Sequence, residues 1–350
     1  MPMSTKFSRR DFLKIGALGL SSLAFKPVYN YGELLDGNDL IRITTESNSV
    51  YSQPDEESTI KFQHYRDDVL HVYDEVVSDK KPFTNKVWYK VWGGYVNSTY
   101  TQKVRASLNQ VNTALDGTTL HPAEITVPYT QSYLQRVAGE WTQLYRLYYS
   151  STYWVTQVVE GPDGQPWYRI KDDMLKIDSL DYYVPAQHVR LIPDNELTPI
   201  SAGVSADKKK VEVSIDQQEL TAYEDSVVVL KTKISSGLDY HPLNEIAWDT
   251  PRGTFYVQNK MFSKHMGGGQ LSTDLEAYIL PGVSFVSFFE PDLGVAFHGT
   301  HWHTNFGNRM SHGCINMRTD EAKWLFRWLM PAADMTQMST IGYGTKVIVY

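Results

Sequence analysis

Cys314 is the only cysteine among 350 residues, and it stands in the run Ser-His-Gly-Cys-Ile-Asn-Met-Arg at 311–318. A lone cysteine most often packs as a small apolar residue. The residues around this one point to chemistry instead. A thiol becomes a nucleophile when a neighbour takes its proton or lowers its pKa, and an imidazole does both. Four histidines, His298, His301, His303 and His312, fall within the window 298–314. Gly313, directly before the thiol, lets the backbone turn tightly so that successive amides converge, as an oxyanion hole requires. Base, nucleophile and oxyanion donors can thus come from one short segment, which is the equipment of an acyl transferase. A thiol beside a histidine should ionise below a free thiol's value of about 8.5. The same His/Cys set could in principle bind zinc, but the spacing His-x-x-His-x-His fits no structural zinc pattern, and no metal is expected.

The motif also resembles a known family. His-Gly-Thr at 298–300 followed by Ser-His-Gly-Cys-Ile-Asn-Met at 311–317 is similar to the L,D-transpeptidases of the YkuD family. Supporting pieces lie upstream in order: "KKVEVSIDQQELTAYED" (209–225), "SSG" (235–237), "TPRGTFYV" (250–257) and "KHM" (264–266). Asn316 stands where many members carry Arg. The resemblance covers about 205–350. It implies a two-step acyl transfer on peptidoglycan. Cys314 attacks the carbonyl of the third residue of a donor tetrapeptide stem, releases the terminal D-Ala and forms a thioester. The side-chain amine of a neighbouring stem resolves it into a 3→3 cross-link. By position His298 is the general base, and the Gly299 carbonyl orients its ring. The amides of His312, Gly313 and Cys314 would stabilise the oxyanion. Ser311 and His312 would line the pocket, and Asn316 and Arg318 would hold the loop or meet substrate carboxylates. Trp302 and Phe306 would cap the groove or anchor the loop by packing. No nucleotide, metal or other cofactor is implied. Other acceptors stay open: water would make an L,D-carboxypeptidase, and a protein amine would anchor that protein to the wall. A wall-binding protein that keeps the fold without catalysis is a rival of another class, against which the retained thiol counts.

The compartment bears on the thiol. Residues 8–18, "SRRDFLKIGAL", place Arg9 and Arg10 before an apolar stretch too short to span a bilayer, which needs about 20 residues. The order resembles the twin-arginine signal of bacterial export. Residues 1–30 are read as that signal, and the mature protein is expected at the cell wall or periplasmic face with no stable membrane span. Cysteines outside the cytoplasm normally pair. A single unpaired one favours reactivity over packing.

The elements that must position these residues read as mainly β. Aromatic content is high, with 23 Tyr and 9 Trp, and short alternating runs dominate, such as "SVVVLKTKI" (226–234), "GTFYVQ" (253–258) and "KVIVY" (346–350). Helices are expected only near 103–116, 131–139 and 320–330. "VWYKVWGGYV" (87–96) is echoed by a run beginning "PWYRIK" at 166, with Trp88 and Trp167 in register. That repeat resembles bacterial SH3-like modules, small β-barrels often attached to wall enzymes. The expected order is an SH3-like module with a helical connector (39–123), a second module (124–193), a linker (194–208), and a β-rich catalytic domain with a few short helices (209–350). The modules would bind the cell wall. The net charge of −7 and the lack of a basic stripe exclude a nucleic-acid partner. "MGGGQ" (266–270) reads as a loop near the groove.

Overall fold

The computed structural model describes residues 39–136, 139–173, 181–241, 247–268 and 278–350. The twin-arginine stretch, and Gly269 and Gln270 of the glycine run, lie outside them. Among the described residues the chain is mainly β, in five sheets with one α-helix. None of the described helices is long and apolar enough to cross a membrane.

Residues 40–104 build two small antiparallel sheets. One has three strands in the order Val69–His71, Leu40–Ile43, Thr101–Val104. The other has five, with Val87–Val91 between Gly94–Asn97 and Asp74–Val77. Ile41, Ile43, Val50, Tyr89, Val91 and Val96 pack between them. A seven-stranded sheet follows, with Pro166–Lys171 between Tyr182–Pro185 and Thr152–Glu160. The two Trp-Tyr pairs of the repeat, Trp88-Tyr89 and Trp167-Tyr168, each lie on an inner strand and are buried, the first one strand in from the edge of its sheet and the second in the middle of its sheet.

Two expected helices are strands or extended chain. Residues 103–116 find hydrogen bonds on distant parts of the chain rather than four residues back. Ser107 N–H donates to Thr126 O (2.9 Å), Asn109 N–H to Gln187 O (2.9 Å) and Asn112 N–H to the Tyr168 hydroxyl (2.7 Å). Of the segment near 131–139, residues 137–138 lie outside the described ones, and residues 131–135 belong to the strand Tyr129–Gln135, where Thr130 and Ser132 are buried and alternate with more exposed neighbours. Its period is two, and it pairs with strands on both sides. The expected linker 194–208 is strapped to the rest of the protein. Leu197 is buried, Glu196 receives Arg190 and Lys323, and Ile200 N–H donates to Arg327 O (3.0 Å).

The last 140 residues form two five-stranded sheets. In one, Lys209–Ser214 lies beside the C-terminal strand Lys346–Val349, which it pairs in parallel. In the other the order is Ile315–Met317, Val295–Gly299, Tyr278–Glu290, Asn259–Gly268, Thr340–Ile341. The helix Thr319–Trp328 was expected near 320–330. Asp320 and Glu321 in its first turn suit the positive end of its dipole. Its apolar face, Ala322, Leu325 and Phe326, packs on Phe285, Phe297, Ile315 and Met317. Two buried lysines close its far end. Lys209 Nζ donates to Trp328 O (2.8 Å), and Lys260 Nζ donates to the carbonyls of Phe326 (2.5 Å), Leu329 (2.8 Å) and Pro331 (3.0 Å). Trp154, from the seven-stranded sheet, shares this core. Thr152 and Ser263 join the two parts, with Thr152 Oγ1 donating to Phe262 O (3.0 Å) and Ser263 Oγ to Thr152 O (2.5 Å).

Candidate active site

The site forms where the strands Val295–Gly299 and Ile315–Met317 run side by side. They are parallel, with Phe297 opposite Ile315, His298 opposite Asn316 and Gly299 opposite Met317. Side chains alternate between faces, so Phe297, Ile315 and Met317 go to the helix while Ala296 and His298 go to the other face. Cys314, one residue before its strand, packs with Ala296, Val283, Val286 and Met261 on that second face. Register alone therefore brings His298 and Cys314 to one face as diagonal neighbours on adjacent strands.

The state of each group follows from its surroundings. His298 is buried, and its Nδ1–H donates to the Gly299 carbonyl at 3.0 Å. That bond fixes the tautomer and leaves the Nε2 lone pair available. Burial pushes the imidazole down to about 4, so it is neutral at ordinary pH. The Cys314 thiol donates to the Gly294 carbonyl at 3.4 Å. Burial pushes it up to about 11, with the Ala296 backbone opposing. A thiol ionising below the ordinary value was expected, and the structure reverses this. Desolvation of the thiolate outweighs any help from an imidazole that is itself uncharged. With both shifts in these directions, the pair is neutral at rest.

The turn carrying the thiol is closed by its own residues. Ser311 Oγ accepts the Gly313 N–H (3.2 Å) and donates to the Cys314 carbonyl (2.5 Å). Gly313 has φ +118°, a conformation glycine adopts without strain. The Gly313 amide, expected as an oxyanion donor, is engaged by Ser311 in this state. Behind the turn, Thr250 Oγ1 donates to the Gly313 carbonyl (2.7 Å) and accepts the Gly237 N–H (2.9 Å). The Ser235-Ser236-Gly237 segment is held by Gln218, whose side chain bonds Ser236 twice. It in turn pairs with Ser311 and Asn316. Three of the upstream motif pieces, through Gln218, Ser235 to Gly237 and Thr250, thus frame the cysteine turn, whereas His265 of the fourth bonds Asp172 (2.8 Å).

The remaining expected residues divide by burial. Asn316 is 1 % exposed and bonds His303 (3.0 Å). His303 Nδ1 already accepts the Asn305 N–H (3.2 Å), so its Nε2 must carry the proton and the Asn316 amide must present its oxygen. Of the two roles left open for Asn316, burial fits loop holding. Burial also pushes His303 and His301 down to about 3. Trp302 packs on the same apolar cluster as Cys314, and its ring centroid is 5.7 Å from that of His298. His312 is exposed and lies against Trp248 at 3.9 Å between ring centroids. Arg318 is exposed, with its guanidinium 4.8 Å from the Phe306 ring centroid and beside Glu321. One residue with no forewarning beyond a charge in an apolar strand, Arg42 of "LIRI", reaches the site from the first sheet: its guanidinium donates to the His301 carbonyl at 3.1 Å.

Residues 208–349 match the YkuD family model, the L,D-transpeptidase catalytic domain. No similar protein is found among curated proteins. Among solved structures, the chain is similar to the Ldtfm–avibactam carbamoyl enzyme at 29 % identity, over 41 % of this chain and 49 % of that one, with a TM-score of 0.31. It is similar to a mutant of the Enterococcus faecium L,D-transpeptidase at 29 % identity, over 41 % and 50 % of the two chains, with a TM-score of 0.30. For an L,D-transpeptidase from Mycobacterium smegmatis the identity is 21 %, the coverage 56 % and 98 %, and the TM-score 0.33. The chain spans about half the length of the first two. The segment 208–349, which carries His298, Cys314 and the frame around them, is thus matched to the YkuD family as an L,D-transpeptidase catalytic domain.

Proposed function

We propose that the protein is a peptidoglycan L,D-transpeptidase that works through a thioester on Cys314 and forms 3→3 cross-links. The observation that carries this reading is the pairing of Cys314 with a neutral His298 on one face of two parallel strands, the imidazole tautomer set by Gly299. Nε2 of His298 takes the thiol proton as sulfur adds to the carbonyl of the third stem residue. The bond to the terminal D-Ala breaks, and its amine leaves with that proton. The amine of a second stem then attacks the thioester. His298 takes the amine's proton and returns it to sulfur, so the enzyme is regenerated and no external energy source is needed. Trp302, whose ring centroid is 5.7 Å from that of His298, forms one wall of the site.

The export and tethering roles belong to the same reading. The twin-arginine stretch sends the chain out of the cytoplasm, and the two Trp-Tyr repeats mark SH3-like modules that hold it at the wall. Purified full-length protein incubated with tetrapeptide muropeptides tests the reaction by mass spectrometry. A dimer lacking one D-Ala is expected, and Cys314→Ala abolishes it. A monomer shortened by one residue would reassign the enzyme as a carboxypeptidase, and unchanged muropeptide would refute the reading.

A further inference from the structure

The loop between His298 and Cys314 is held from outside the catalytic domain. Thr304 N–H donates to Thr99 O (3.0 Å), Thr304 Oγ1 to Ser98 O (2.5 Å) and Asn308 Nδ2 to Thr84 O (2.9 Å), all three acceptors lying in the first hundred residues. The deepest of these contacts is made by Arg42. It is 2 % exposed, and its donors are committed on three sides. Nη1 meets Asp67 (2.9 Å), Nε and Nη2 meet Gln102 Oε1 (3.2 and 2.9 Å), and Nη2 also meets the His301 carbonyl (3.1 Å). Asp67 is itself buried and also receives Arg146.

We propose that Arg42 is a positioning residue for the His298–Cys314 pair, so that the N-terminal sheets complete the active site as well as tethering it. The proposal rests on the function argued above. Arg42 fixes the backbone of His301, and its guanidinium also lies 4.0 Å from the Tyr148 ring centroid. Tyr148 contacts the His301 ring at 5.5 Å, and His301 meets Trp302 edge-on at 5.0 Å. Trp302 in turn neighbours the His298 ring at 5.7 Å between centroids and packs on the apolar cluster that also receives Cys314. Arg42 touches no reacting atom, but the residue that walls the reacting pair is placed through it. The planar fork is essential, because one guanidinium serves a carboxylate, an amide oxygen and a backbone carbonyl together. A lysine supplies the charge without that geometry.

The test uses the full chain, a carbapenem as acylating probe and the variants Arg42→Lys, Arg42→Ala and Gln102→Leu. In Arg42→Lys the first-order acylation constant at saturating carbapenem should fall about tenfold to a hundredfold, the usual result of a misplacement near 1 Å. The half-saturating concentration should stay near the wild-type value. Guanidinium at millimolar concentration should restore part of the rate to Arg42→Ala and none to Arg42→Lys. Gln102→Leu, which leaves Arg42 and Asp67 in place but frees the fork, should lose rate in the same direction. Wild-type rates in folded Arg42 variants overturn the proposal. If both Arg42 variants fail to fold, Gln102→Leu decides, and its wild-type rate overturns it. If the wild type itself takes no carbapenem, the proposed function fails instead. Alkylation of Cys314 by iodoacetamide then still reads the position of Trp302, faster in the Arg42 variants if the proposal holds and unchanged if it does not.

Discussion

The protonation state of the reacting pair is the most exposed consequence of this site. Burial pushes Cys314 up to about 11 and His298 down to about 4, so both are neutral from mild acid to mild alkali. A free thiol with a pKa near 8.5 is about 3 % ionised at pH 7, whereas one near 11 is about 0.01 % ionised, a difference of roughly 300-fold. The perturbation is pH itself, followed by the thiolate's ultraviolet absorbance and by the rate of carbapenem acylation in the same samples. The difference absorbance of wild type minus Cys314→Ala, in which the ionisation of the 23 tyrosines cancels, should rise in one step near 11. Acylation needs the neutral imidazole, and lowering the His298 pKa keeps that form populated further into acid. At pH 5 an imidazole with a pKa of about 4 is roughly 90 % neutral, against about 3 % for one at 6.5, so the rate should hold at pH 5 and fall only near pH 4. A thiolate signal at pH 7 that vanishes only in acid would mean a preformed thiolate–imidazolium pair and would refute this account. A rate that halves near pH 6.5 would refute the depressed histidine.

Three further outcomes follow from the same structure. His298→Ala should slow acylation about 10²–10⁴-fold, the usual contribution of a positioned base, without lowering the melting temperature appreciably. His188, His298, His301 and His303 are all pushed below their ordinary value by burial, to about 4, 4, 3 and 3. The unfolded chain therefore binds protons first as pH falls below 6.5. The stability these groups contribute is whole above that pH and is lost towards pH 3. With four protons the slope near pH 5 is at most roughly 5 kcal/mol per pH unit. Denaturant melts at pH 5 and 7 with equal stability would contradict this. Lys260→Met should cost about 3 kcal/mol in such melts, because it leaves three helix-end carbonyls without a donor, whereas a loss below about 1 kcal/mol would show that water replaces the ammonium.

What could be read from the chain was local. Cys314 and its flanking Ser-His-Gly, the nearby His298 and the helix opened by Asp320 and Glu321 all belong to one short stretch of chain, and the structure sets them on and beside two adjacent parallel strands. So was the β character, because alternation over five residues is a property of the strand itself. Residues 103–116 and 131–139 misled for the opposite reason. Their composition tolerates a helix, and only partners elsewhere, such as Thr126, Gln187 and Tyr168, make extended chain the better place for their backbone donors. The pKa of Cys314 was equally out of reach. A neighbouring histidine in sequence suggests a lowered value, but desolvation depends on Val283, Val286 and Met261, brought from strands far away. Arg42 shows the limit most plainly. Its charge in "LIRI" is visible in the chain, yet the carbonyl it serves is 259 residues away. A hydrogen bond needs its atoms about 3 Å apart, and over such a separation only the packing of the whole fold decides which atoms those are.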